Sequence, residues 1–167
     1  MKTIDPTIIF VMGVSGSGKS TIGRSIAAAM EVPFIDGDDH HPESNVAKMS
    51  SGQALNDSDR AGWLAILNTI ALDHSSTGAV IACSALKENY RQQLSENLTD
   101  KCQWVFLNGS YELILERIKK RAGHFMPPAL LQSQFDTLEI PEYGIHLDIS
   151  NSLDSLIESL QKKLNKP

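Results

Sequence analysis

Short apolar runs alternate with helix-spaced apolar positions from one end of the chain to the other. Ile8–Met12 is an unbroken apolar run closed by Gly13, and Lys19–Met30 then places Ile22, Ile26, Ala29 and Met30 at helical spacing. Residues 33–36 read as a second strand. Residues 42–49 read as a short helix with Pro42 at its first position. Asp57 is the expected N-cap of a helix carrying Trp63, Leu67, Ile70 and Ala71 on one stripe. A third strand is expected over residues 79–83, followed by a helix with Leu86, Tyr90, Leu94 and Leu98 four residues apart. Residues 103–107 form the fourth strand, and Ser110 caps a helix holding Leu113, Ile114 and Ile118. Gly123 and Pro127-Pro128 break that helix, residues 129–135 resume it, and residues 145–149 form the last strand. Leu153, Leu156, Ile157, Leu160 and Leu164 mark an amphipathic terminal helix. Strands separated by helices need crossover connections, so the expected fold is a five-stranded parallel sheet covered on both faces.

The 167 residues suit one domain spanning 1–167, at roughly 150 residues per domain, without linker or repeat. Hydrophobic residues at 41% and charged residues at 21% exclude a disordered or collagen-like chain. Fifteen Lys and Arg against 20 Asp and Glu give a net charge of −5, which argues against nucleic acid as a partner. Any positive charge for an anionic substrate must therefore be gathered locally. The two cysteines, Cys83 and Cys102, are too few for a disulfide framework and read as buried thiols. No run of about eighteen apolar residues occurs, and the first apolar stretch is too short for a secretion signal, so no membrane partner and a cytoplasmic location are expected.

Between the first strand and first helix stands Gly13-Val14-Ser15-Gly16-Ser17-Gly18-Lys19-Ser20, followed by Thr21. It matches G-x-x-x-x-G-K-[ST] at every fixed position, with the required strand before and helix after. Such a loop converges backbone N–H groups on phosphates; Lys19 reaches the β/γ-phosphates and the Ser20 hydroxyl ligates Mg²⁺. This is a P-loop NTPase fold with a nucleoside triphosphate site. Neither the third nor the fourth strand ends in the aspartate of a Walker-B strand, and no Asn-Lys-x-Asp guanine-reading segment exists. A small kinase acting on a second small molecule is the reading that remains.

Ligands of parallel α/β sheets sit beyond the carboxyl ends of the strands. The second strand ends there in Asp36-Gly37-Asp38-Asp39-His40-His41-Pro42. Asp38 is the candidate to accept a proton or hydrogen bond from an acceptor hydroxyl, with Asp36 and Asp39 as helix-capping or water-tuning alternatives. Arg60, Lys87 and Arg91 form a second constellation that could hold a carboxylate or could be solvated surface charge. A third runs through Arg117, Lys119, Lys120, Arg121, Gly123, His124 and Phe125. It has the character of a small helical lid over about 117–135, with Arg121 aimed at the phosphoryl group, although a basic helix end also satisfies the macrodipole.

With these residues in view, the chain resembles the small P-loop gluconokinases, related in fold to shikimate and adenylate kinases. The resemblance covers nearly the whole chain. It rests on the phosphate loop, Asp36-Gly37-Asp38, His41-Pro42, Asn45, Lys48-Met49, Gly52, Leu55, Asp57, Asp59-Arg60, Trp63-Leu64, Cys83-Ser84-Ala85-Leu86-Lys87 and Tyr90-Arg91. It continues through Arg121, Gly123-His124-Phe125, Gln134-Phe135, Leu138-Glu139 and Pro141. One departure is Ala54, where a proline is expected before Leu55. The resemblance implies ATP + D-gluconate → ADP + 6-phospho-D-gluconate with Mg²⁺. It implies catalytic roles for Lys19, Asp38 and Arg121, nucleotide contacts from the phosphate loop, Thr21 and Arg117, and sugar-acid contacts from Asp38, His41, Arg60, Lys87, Arg91 and His124. It also implies a possible homodimer. Another small-metabolite kinase of this fold, or a non-enzymatic nucleotide switch, are the competing readings.

Overall fold

A computed structural model describes residues 7–98, 100–121 and 127–164. The strands are β1 (Ile8–Met12), β2 (Phe34–Asp36), β3 (Ala79–Ala82), β4 (Cys102–Asn108) and β5 (Ile145–Asp148). They form one sheet in the order β2-β3-β1-β4-β5, and each neighbouring pair is parallel. Ile8 is level with both Ala79 and Cys102, so the central strand is flanked in register. All five β1 residues and all four β3 residues are buried, as expected of strands covered on both faces.

The helices are α1 (Lys19–Met30), α2 (Glu43–Ser50), α3 (Asp57–Asp73), α4 (Glu88–Leu94), α5 (Tyr111–Lys120), α6 (Pro128–Thr137) and α7 (Leu153–Leu164), with a 3₁₀ turn at Gly37–His40. Because successive strand side chains point to opposite faces, β1 splits between two cores. Ile9 and Val11 join Val80, Val105 and Leu107 beneath Ile22 and Ile26 of α1, Ile114 of α5 and Leu160 of α7. Ile8, Phe10 and Met12 join Ile81, Trp104 and Phe106 beneath Trp63, Leu64 and Leu67 of α3 and Tyr90 and Leu94 of α4.

Three local expectations are corrected. Asn56, not Asp57, caps α3: its side chain accepts from Asp59 N at 2.8 Å, and Asp59 returns the bond to Asn56 N at 2.9 Å. This reciprocal capping box satisfies two end donors and leaves the Asp57 carboxylate free. Pro42 is the N-cap of α2 rather than its first helical residue. The helix expected through Leu86 and Leu98 is confined to Glu88–Leu94, because residues 83–87 are held as a loop with Ala85 at φ 47°. That loop, and the segments following β1, β2 and β5, all open at the carboxyl edge of the sheet.

Candidate active site

The phosphate loop closes around its own second residue. Val14 O accepts from Ser17 Oγ at 2.7 Å and from Lys19 Nζ at 3.0 Å. Gly16 and Gly18 have φ of 80° and 99°, a left-handed conformation that a side chain would strain. Gly18 directly precedes α1, so the helix start and its orphan N–H groups face the loop. Desolvation holds Lys19 below the usual lysine range, opposed first by the Asp38 carboxylate, while Arg121 adds to the lowering. Lys19, Asp38 and Arg121 therefore share one electrostatic neighbourhood.

A cavity of about 390 Å³ opens beside the loop, bounded by Gly16, Gly18, Thr21, Arg117, Arg121 and Ile149. The Arg117 guanidinium donates to Ile149 O and so ties α5 to the segment after β5. Arg121 is exposed just past the end of α5. His124, with the Gly123 hinge and Phe125 of the expected lid, lies outside the described residues.

The end of β2 is bound to the loop by a carboxylate. Ser20 Oγ donates to Asp36 Oδ2 at 3.0 Å, and Asp36 Oδ1 accepts from Asp38 N at 3.0 Å. Asp36 thus bridges the serine that the motif assigns to the metal and the backbone carrying Asp38. Hydroxyl and carboxylate oxygens are the donors that Mg²⁺ takes alongside substrate phosphate, so this pair fits that ion. Sequence reasoning left Asp36 among the alternatives because its partner is 16 residues away. Between the two aspartates, Gly37 is obligatory: a Cβ there would stand 2.5 Å from Ala82 O. Its carbonyl accepts from Trp63 Nε1 at 2.8 Å.

Asp38 itself is exposed, with its carboxylate 4.0 Å from His41 Nε2. The His41 ring stacks on Trp63 at 4.0 Å. Asn45 Nδ2 donates to Asp59 O at 2.9 Å and lies 3.3 Å from His41 Nδ1. An amide nitrogen only donates, so Nδ1 accepts and the proton of the neutral ring sits on Nε2, facing Asp38. Burial pushes His41 below its ordinary value, against the pull of Asp38, which agrees with a neutral ring.

Arg60 and Lys87 converge on Tyr90. Arg60 Nη1 donates to Leu55 O at 2.6 Å and to Tyr90 Oη at 3.2 Å, and Lys87 Nζ donates to Asp57 at 3.1 Å. Tyr90 Oη donates to the same Asp57 carboxylate. The Tyr90 bond and then the Lys87 bond hold Asp57 below the usual carboxylate range, and Asp57 in turn raises Lys87. Arg60 also borders a second cavity of about 250 Å³, with Met49, Leu55, Pro127, Leu130 and Gln134. Tyr90 and Asp57 were not foreseen as site residues: the first has the spacing of a core residue and the second sits where a helix cap belongs.

Arg91 is placed differently from the other cations. It is 2% exposed, and its guanidinium donates to Ala85 O at 2.7 Å, Glu139 O at 2.9 Å and Tyr143 Oη at 2.9 Å, with Glu88 at 3.1 Å. One helical turn from Lys87, it faces inward and fastens the 83–87 loop to the segment after α6. Cys83, at the end of β3, is fully desolvated and its thiol is pushed up to about 12, so it stays protonated. Among the described residues no cluster of three His, Cys, Asp or Glu could hold a metal, and no helix is long and apolar enough to cross a membrane.

The family model described as shikimate kinase matches residues 15–140. A probable gluconokinase of Dictyostelium discoideum is 44% identical, over 92% of this chain and 84% of its own length. The thermosensitive gluconokinase of Escherichia coli K12 is 43% identical, over 91% of this chain and 84% of its own. A crystal structure of a gluconokinase from Sinorhizobium meliloti 1021 superposes with a TM-score of 0.86 at 44% identity, covering 95% of this chain and 91% of that one.

Proposed function

The chain belongs to the gluconokinase family, and with it to the shikimate kinase family, and on that premise we propose that it phosphorylates D-gluconate from ATP, releasing ADP and 6-phospho-D-gluconate. The observation that carries the reading is the pairing, at one sheet edge, of a complete phosphate loop with a second cavity that Arg60 borders with its cation. A nucleotide acceptor needs an apolar slot for its base after β2, whereas Asp36-Gly37-Asp38-Asp39-His40-His41 is polar throughout. A polyol acid suits such surroundings, because each hydroxyl it brings satisfies a group otherwise left unpaired.

In this scheme the phosphate loop and the start of α1 hold the nucleotide phosphates, and Lys19 offsets charge on the moving phosphoryl group. Thr21, Arg117 and Ile149 border the nucleotide side, and Arg121 stands at its rim to meet the same charge. Ser20 and Asp36 would hold Mg²⁺, which neutralises phosphate charge when bound. Asp38 takes the proton of the acceptor hydroxyl as that oxygen forms its bond to phosphorus and the bond to the ADP oxygen breaks. His41, with its Nε2 proton turned toward Asp38 at 4.0 Å, places a favourable dipole beside that carboxylate. Arg60 and Lys87 supply the cations for the sugar-acid carboxylate, with Tyr90 and Asp57 holding them in place. Arg91 is removed from the substrate set, since its donors are already used inside the fold.

The test is ADP release with Mg-ATP across gluconate, shikimate, AMP, CMP and no acceptor. Turnover with gluconate alone is expected. Turnover with another acceptor instead would overturn the sugar-acid assignment while leaving the phosphate loop in place.

A further inference from the structure

Gln134 joins the cavity beside Arg60 to the phosphate loop. It stands on α6, 119 residues from the phosphate loop, and its side-chain oxygen accepts from Ser15 N at 2.7 Å. Ser15 N is a donor, so the orientation of this amide is settled: oxygen faces the loop and nitrogen faces away. Gln134 also forms part of the wall of the 250 Å³ cavity that Arg60 borders. Its two amide N–H groups have no hydrogen-bond partner among the described residues, and they are a matched pair of donors for a hydroxyl or carboxylate oxygen.

The helix carrying Gln134 is anchored at its carboxyl end. Leu138 packs against both cores. Glu139 N donates to Leu86 O at 2.7 Å, and Arg91 grips Glu139 O and Ala85 O together. The stem of α6 is thereby fastened to the 83–87 loop, which carries Lys87. A side chain supported in this way holds its direction, which a polar group needs if it is to discriminate between ligands.

We propose that Gln134 is a specificity and coupling residue: its amide N–H groups read a hydroxyl of the polyhydroxy acid while its carbonyl holds the Ser15 N–H, so that one side chain links acceptor binding to the phosphate loop. This rests on the cavity beside Arg60 taking the acceptor. The coupling is reciprocal, because each ligand must favour the other by the same factor. An acceptor without the hydroxyl leaves the amide donors unpaired and is selected against.

The experiment is calorimetric titration of gluconate, with and without AMP-PNP and Mg²⁺, into the unaltered protein, Gln134→Met and Gln134→Ala, with melting temperatures measured alongside. In the unaltered protein AMP-PNP is expected to tighten gluconate at least about fivefold. Both variants should lose that enhancement to within about twofold and bind gluconate about tenfold more weakly, with AMP-PNP affinity alone changed by less than about threefold. A purely structural role for Gln134 would lower the melting temperature and leave the enhancement factor intact. Variants that keep the original gluconate affinity and enhancement overturn the inference while the acceptor assignment stands. Failure of the unaltered protein to bind gluconate overturns both, and is seen before any variant is made.

Discussion

The phosphate-binding part of the cleft is built from eight consecutive residues, and its working groups are mostly backbone N–H donors held by glycine φ angles and by Val14 O. The proposed acceptor end draws Asp38 and His41 from the segment after β2, Arg60 from α3, Lys87 and Tyr90 from around α4, and Gln134 from α6. There the working groups are side chains, several of them aimed by another side chain: His41 by Asn45 and Trp63, and Lys87 by Asp57. Backbone donors recognise what every nucleoside triphosphate shares. Side-chain donors collected from distant segments can be rearranged by substitution, and this is the end at which kinases of one fold can differ in substrate.

Asp38→Asn breaks this division most sharply, because it removes the proposed acceptor-end carboxylate while leaving the phosphate-loop hydrogen bonds in place. Its kcat should fall about 10²–10⁴-fold while AMP-PNP affinity stays within a few-fold; calorimetry and steady-state rates measure the two separately. Near-normal turnover would remove Asp38 from the chemistry.

Arg91 and Arg60 form a contrasting pair within that end. Arg91→Met leaves the Ala85 carbonyl without its donor in the interior and releases Glu139 O, so urea unfolding should show a loss of about 2–4 kcal/mol. Arg60→Ala should instead raise the KM for gluconate about 10- to 100-fold with a much smaller change in stability. Exchange of these two phenotypes would reverse the assignments.

A smaller effect is expected where β2 meets β3. The methyl group of Gly37→Ala would press on Ala82 O and shift Asp38, which should cost about 1–3 kcal/mol in unfolding free energy and lower kcat.

The mildest expectation concerns pH. His41 is held below its ordinary value near 6.5, so the unfolded chain takes up a proton that the fold resists. Stability from this source is present above about pH 6.5 and is lost as pH falls toward the folded value. Urea titrations at about pH 7.5 and 5.5 should show a shallower decline for His41→Gln than for the unaltered protein. Identical slopes would mean that the ring already titrates freely.

The division also accounts for what could be read from the residues in order. The five strands, the phosphate loop and most of the helices are local patterns: an apolar run, a 3.6-residue spacing, a glycine at a fixed offset. The roles suggested for Asp57 and Arg91 came from equally local rules, a helix cap and a shared helical face, and both were displaced. Asn56 and Asp59 satisfied the end of α3 between themselves, freeing Asp57 for Tyr90 and Lys87. Arg91 found the buried Ala85 carbonyl and the Glu139 carbonyl, which have no other side-chain donor among the described residues. The contacts of Asp36 with Ser20 and of Gln134 with Ser15 span 16 and 119 residues and leave no periodic trace.

Residue order alone was therefore sufficient for the sheet, its coverage on both faces and the phosphate-binding loop, because these follow from backbone geometry and the burial of apolar side chains within a few turns of chain. Which cation faces the cavity, which carboxylate meets Ser20 of the phosphate loop and which amide reaches from α6 to that loop were set by packing. Those choices depend on which polar partners lie within about 3 Å once the strands have aligned, and that distance is a property of the assembled sheet edge.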